Sequence, residues 1–211
     1  MNLKQRFFHA KPEERFHYED DLLLSGMTEK LLEWVPSNRD LVLVCIGTDR
    51  STGDSFGPLL GSLLEEKRLN HVHVYGTLDE PVHAVNLEEK LQTIGENHQN
   101  PFIIGIDACL GKVSSVGSLI IGKGPVKPGA AVKKQLPEVG ELHITGVVNV
   151  SGFMEYFVLQ NTRLNLVMHM SKRVAQVIQS YDRKRGKVAP KPQITLQTVK
   201  KTVAPWSPVK E

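Results

Sequence analysis

The segment Leu41-Val-Leu-Val-Cys-Ile46 constrains this chain more than any other. Six apolar residues in succession, rich in branched side chains, leave a strand no face for water. Such a strand must be covered on both sides, which is the situation of a central strand in a parallel sheet flanked by helices. The surrounding sequence supplies those helices. Apolar spacing of helical period predicts a helix over 21–35, closed by Pro36, and another from Gly57 to Leu69 with Pro58 in its tolerated first turn. His71-Val-His-Val-Tyr75 alternates as a half-buried strand does, and 85–94 returns to helical spacing. Pro101-Phe-Ile-Ile-Gly-Ile106 is a second apolar strand; 117–121 and 142–148 predict two more, and 153–160 and 164–181 two further helices. Strands alternating with helices of this length imply βαβ crossovers, hence an α/β three-layer sandwich on a mostly parallel sheet.

A chain of 211 residues, 40% of them apolar and 23% charged, suits one such domain. At that size about 70% of the unfolded surface is buried, enough for a core without covalent staples. The expected organisation is an N-terminal arm over 1–20, an α/β domain over 21–182 and a basic, Pro- and Lys-rich tail over 183–211. The tail holds eight Lys or Arg against one Glu, so the formal net charge of +3 becomes about −4 for the remainder. Its composition reads as a solvated, disordered segment. Only Trp206 is available there for stacking on bases, which argues against a nucleic-acid partner. Neither a leader pattern nor an apolar run of about 18 residues is visible, so the expectation is a cytoplasmic protein with no membrane partner.

Cys45 and Cys109 each sit late in an apolar strand and read as reduced, buried side chains rather than a disulfide framework. A catalytic thiol at Cys109, near Asp107 and His143, is the sharper alternative, but burial blunts a thiol. Gly117-Ser-Leu-Ile-Ile-Gly-Lys-Gly124 nearly spells a phosphate-binding loop. It lacks the Ser or Thr that would hold Mg²⁺, and Leu119–Ile121 read as strand. His71, His73, His98 and His169 show no zinc-site spacing.

Two carboxylates stand apart from this background. Asp54 lies in the polar, glycine-bearing loop Gly47-Thr-Asp-Arg-Ser-Thr-Gly-Asp-Ser-Phe-Gly-Pro58, between the first apolar strand and its helix. Ligands of open α/β sheets bind outside the carboxyl ends of the strands, where this loop falls. A helix cap accounts for Asp54 alone but not for the whole loop. Asp107 ends the strand Phe102–Ile106, a costly place for an acid unless it is paired or used. If the strands are neighbours, the two acids meet in one crevice. There one pKa rises and the pair can divide acid and base work, or hold a metal. The bland reading of Asp107 is a loop anchor that accepts backbone N–H groups.

The same two stretches resemble the germination protease (spore protease) family. Its first loop carries an acid ahead of Gly-Pro, matched by Asp54, and its second motif is an apolar strand ending in Asp-Ala, matched by Asp107-Ala108. The resemblance runs from about Leu41 to Val158. It implies a phosphorylase/hydrolase-like fold and an aspartate-pair peptidase of sporulation, catalytic through Asp54 and Asp107, with Gly47, Asp49, Thr52 and Asn149 as binding residues. It further implies no cofactor, a spore-protein substrate such as the small acid-soluble spore proteins, and a forespore or mother-cell location; a homo-oligomer stays open. Related hydrogenase-maturation endopeptidases share the fold and bind nickel through two acids and a histidine. That histidine falls near Asn149 here, with His143 six residues earlier, so a nickel-dependent endopeptidase is one alternative. A catalytically silent binding protein on the same fold is the other. Thr48 and Gly53 depart from the family pattern, which has Asn and Pro at those places.

Overall fold

The computed structural model describes residues 12–129 and 136–186. Six strands form one sheet: β1 (Glu13–His17), β2 (Leu41–Cys45), β3 (Val72–Tyr75), β4 (Phe102–Gly111), β5 (Ser118–Lys123) and β6 (Leu142–Val150). Five helices complete the domain: α1 (Leu23–Trp34), α2 (Phe56–Glu65), α3 (Leu87–Asn97), α4 (Glu155–Gln160) and α5 (Leu164–Arg185). The strand order is β1-β5-β6-β4-β2-β3. Pairs β2–β3, β2–β4 and β4–β6 are parallel, whereas β5 runs antiparallel to β6 and β1 antiparallel to β5.

The alternation of side chains along β2 sends two sets of residues to two cores. Leu41, Leu43 and Cys45 meet α1, α2 and α5 through Leu23, Met27, Phe56, Leu60, Met170 and Tyr181. Val42, Val44 and Ile46 face the other way, onto Leu87 and Ile94 of α3 with Val82, Val126 and Val139. Every residue of β2 is buried, as a continuous apolar run requires. The expected α/β three-layer sandwich with a mostly parallel sheet is therefore the fold, with helices on both faces. The near-miss phosphate loop is a buried strand, β5.

Two expectations change. Glu13–His17, assigned to a terminal arm, is an edge strand whose five residues pair with Ser118–Gly122. Its sequence offers one apolar side chain, Phe16, so the pairing rests on backbone hydrogen bonds and on that ring against the core. The second apolar strand also continues past Ile106 to Gly111, so Asp107 lies within β4 rather than beyond it. At the other end, α5 takes in Arg183–Arg185, and the tail beyond residue 186 lies outside the described residues. Among the described residues, no helix is long and apolar enough to cross a membrane.

Strand order fixes where a site can form. From β2 the chain crosses through α2, on one face, to β3; it then returns through α3, on the other face, to β4 on the opposite side of β2. The carboxyl ends of β2 and β4 thus diverge at a topological switch point, where open α/β sheets leave a crevice.

Candidate active site

Asp54 and Asp107 both belong to that crevice. After β2, Ile46 still pairs with its neighbours, its N–H donating to Ile106 O at 2.7 Å, and Gly47 N–H donates to Val82 O at 2.8 Å. The chain then loops back on itself: Thr48 N–H donates to the Asp54 carbonyl at 3.1 Å. Gly47 makes this closure possible. It has φ +148°, and a Cβ there would sit 1.9 Å from Asp54 O. A short 3₁₀ turn, Gly53–Ser55, carries Asp54 into α2. Ser55 braces that turn through its hydroxyl, which donates to Thr52 O at 2.6 Å. The turn packs on both β4 and α4, which brings its acid to the strand that holds Asp107.

The electrostatics separate the two acids. Asp107 keeps part of its surface accessible but is packed round by protein at close range. Burial pushes its carboxyl up to about 8 from an ordinary 3.8, the Ala108 N–H pulls it part of the way back, and the Asp54 charge raises it further. That N–H donates to Asp107 Oδ1 at 2.9 Å, so the bland anchoring role is present in part. Asp54 is also raised by burial, and the Ser51 hydroxyl offsets some of the rise. Ser51 Oγ is buried and has no partner within ordinary hydrogen-bond geometry, so that contact is long or poorly aligned. No direct hydrogen bond joins the two carboxyls; charge couples them. Both carboxyls are thus raised, and Asp107, the more enclosed, keeps its proton to the higher pH.

The remaining candidates divide. Gly47 shapes the loop and Thr52 closes the turn through its carbonyl. Asp49 is exposed and accepts from the Thr48 hydroxyl at 3.4 Å. Asn149 is spent on local structure: its Nδ2 donates to Val158 O and Thr162 Oγ1, both at 3.2 Å, and its Oδ1 accepts from Val150 N–H at 2.8 Å. It ties β6 to α4. Thr145 of β6, not His143, pairs with Asp107, and the His143 ring is engaged with Gly124 O at 3.0 Å through Nδ1. Cys109 is half-buried, and burial together with Asp107 pushes its thiol up, which removes the thiolate a nucleophile needs.

These contacts also test the nickel site that the fold suggests. Asn149, which stands where the related endopeptidases have the histidine, offers an amide oxygen already bonded to Val150 N–H, and the His143 ring is held at Nδ1 by Gly124 O. The residues present do not fit a tight transition-metal site at this crevice.

An apolar surface next to the Asp54 turn was not foreseen from helical spacing over 153–160. Phe153, Met154, Tyr156 and Phe157, at and within α4, are 91%, 54%, 56% and 52% exposed. Helix α4 stays attached by Leu159, whose side chain lies against Gly53 of the Asp54 turn.

The α/β sandwich with a mostly parallel sheet is shared with a solved structure. The [NiFe] hydrogenase maturation protease HycI from Thermococcus kodakarensis KOD1 superposes with a TM-score of 0.50, over 72% of this chain and 99% of that one; at 20% identity the likeness is one of fold. Residues 15–177 match the family described as "Protein of unknown function (DUF1256)", and the chain belongs to that family. It is 63% identical over 147 residues, 70% of this chain and 72% of the relative, to the Bacillus subtilis (strain 168) protein YyaC. Likeness to germination protease is carried by the two loop motifs alone.

Proposed function

We propose that this protein is a peptidase in which Asp54 and Asp107 hydrolyse a peptide bond of a protein substrate. The observation that carries the reading is the division of protonation between two acids in one crevice. Asp54, ionised, takes a proton from a water whose oxygen attacks the scissile carbonyl carbon. Asp107, protonated, gives its proton to the leaving amine as the C–N bond breaks. The net reaction adds one water across the bond, and the protons return by exchange with solvent. The exposed aromatics of α4 offer an apolar wall for the substrate chain beside the acids. By the loop resemblance, the substrate is a spore protein, with the small acid-soluble spore proteins first to be tried, and the setting is the forespore or mother cell.

Cleavage of such a protein by the full chain is the test. Asp54→Asn and Asp107→Asn should each lower the rate by about 10²–10⁴-fold with the fold intact, and the double variant should be little worse than either. The pH profile should have an acid limb from Asp54 and fall again above about 8, as Asp107 loses its proton. The absence of a hydrogen bond between the carboxyls favours a second reading, a catalytically silent protein that binds through the α4 surface. Binding of a spore protein without cleavage, unchanged in both Asn variants, would establish it. Activity lost to a chelator and restored by nickel would instead establish the maturation-type endopeptidase.

A further inference from the structure

At the amino ends of β2, β3 and β4, the edge of the sheet opposite the acid crevice, three side chains from distant parts of the sequence converge. Asp40 immediately precedes β2, His73 lies in β3, and His98 is the residue that ends α3. A carboxylate oxygen of Asp40 and one ring nitrogen of each histidine all lie within 4.8 Å of one another. We propose that Asp40, His73 and His98 form a binding site for a divalent transition-metal ion of the zinc class.

The geometry around His98 favours this over a simple hydrogen-bonded cluster. His98 is buried, 9% exposed, and its Nε2 lies 3.0 Å from the Tyr75 hydroxyl. That contact leaves Nδ1 to face Asp40 Oδ2, 3.6 Å away, too far for a hydrogen bond. The His73 ring is tilted 54° to the His98 ring with centroids 4.5 Å apart, so the rings do not stack and each can turn a nitrogen to a shared point. Among the described residues, neither the Asp40 carboxylate nor the His73 ring makes a hydrogen bond. Three donors thus surround a gap without satisfying one another. Around a zinc ion, ligands at about 2.0–2.2 Å lie roughly 3.3 Å apart. Asp40 and His98, at 3.6 Å, already approach that spacing, and the exposed His73 lies within 4.8 Å of both.

Two imidazoles and one carboxylate suit zinc or a similar ion. Metal-bound histidines ordinarily hold their second nitrogen in a hydrogen bond, the part Tyr75 plays for His98. Asp40 and His73 are exposed, so water completes the coordination. The nearby guanidinium of Arg39 is held by Glu141 at 2.6 and 3.0 Å, and Arg185 is turned to the carbonyls of Pro36 and Arg39. An ion here ties the start of β2, strand β3 and the end of α3 together, and its binding therefore stabilises the fold.

The test uses the full chain without an affinity tag, stripped with a chelator. Zn²⁺ uptake is followed by calorimetry, and Co²⁺ uptake by visible d–d absorption. One ion per chain is expected, with a higher Tm when Zn²⁺ is present. His73→Ala, a surface change that leaves the core untouched, should weaken binding by about tenfold or more and abolish the Tm rise. Tyr75→Phe should weaken it by about tenfold with the ligands intact. His71→Ala, two residues away on the same strand edge, should bind as wild type. Failure of the wild type to take up an ion, equal affinity in His73→Ala, or an equal loss in His71→Ala would each overturn the site.

Discussion

At Asp107, burial sets a pH-dependent cost. Its carboxyl titrates near 8 in the fold, whereas in the unfolded chain it titrates near 4. Between those values the native protein holds a proton that the unfolded chain has lost, so stability falls as pH rises through that window. Asp107→Asn removes the titration. The variant should match wild type near pH 4 and be more stable by about 1–3 kcal/mol above pH 8, with urea unfolding across the range as the measurement. Equal pH slopes in the two proteins would mean that Asp107 is hydrated and ordinary. Both acids were legible in the sequence, Asp107 because it directly follows the apolar run Phe102–Ile106, where a charge has few structural uses, and Asp54 because it stands in the polar, glycine-bearing loop that follows Leu41–Ile46. The Asp40–His73–His98 cluster was not. Each residue looks bland in its own segment, and only the parallel pairing of β2 with β3 and β4 brings them to one end.

The loop from Gly47 to Asp54 is the element on which the site depends. Its closure leaves no room for a side chain at Gly47, because a Cβ would meet Asp54 backbone, which cannot rotate away. Gly47→Ala should cost about 2–4 kcal/mol and displace Asp54, so thermal stability and cleavage fall together. Gly95, on the exposed side of α3 with nothing within 4 Å of an added Cβ, is the contrast. Gly95→Ala should stabilise by up to about 1 kcal/mol, through helix propensity alone. The helices and apolar strands were legible from periodicity, since their residues have no other way to be covered. Strand β1 was not: Glu13-Glu14-Arg15-Phe16-His17 has neither an apolar run nor clean alternation, and its pairing is chosen by the open flank of β5. The aromatics around α4 escaped notice for the opposite reason. Their spacing is that of a buried helix, yet the fold leaves them outside.

Across the whole molecule, the two proposed sites lie toward opposite ends of β2, with the buried residues of that strand between them. The sheet also has two flanks of different character. On one, β3 ends the sheet with a single exposed histidine, His73. On the other stands β1, and its modest contacts hide a larger role. Behind it lies Leu119-Ile120-Ile121, a buried apolar stretch whose backbone groups β1 occupies. Glu13, Arg15 and His17 of β1 face outward, while Glu14 and Phe16 turn toward α1. A chain shortened to begin at Tyr18 would present that stretch as an unpaired template, and like would pair with like. Light scattering should detect more self-association of the shortened chain than of the full chain at equal concentration, and thioflavin binding should follow. The five residues of β1 should thus guard the sheet against polymerisation, and equal scattering by the two chains would refute this role.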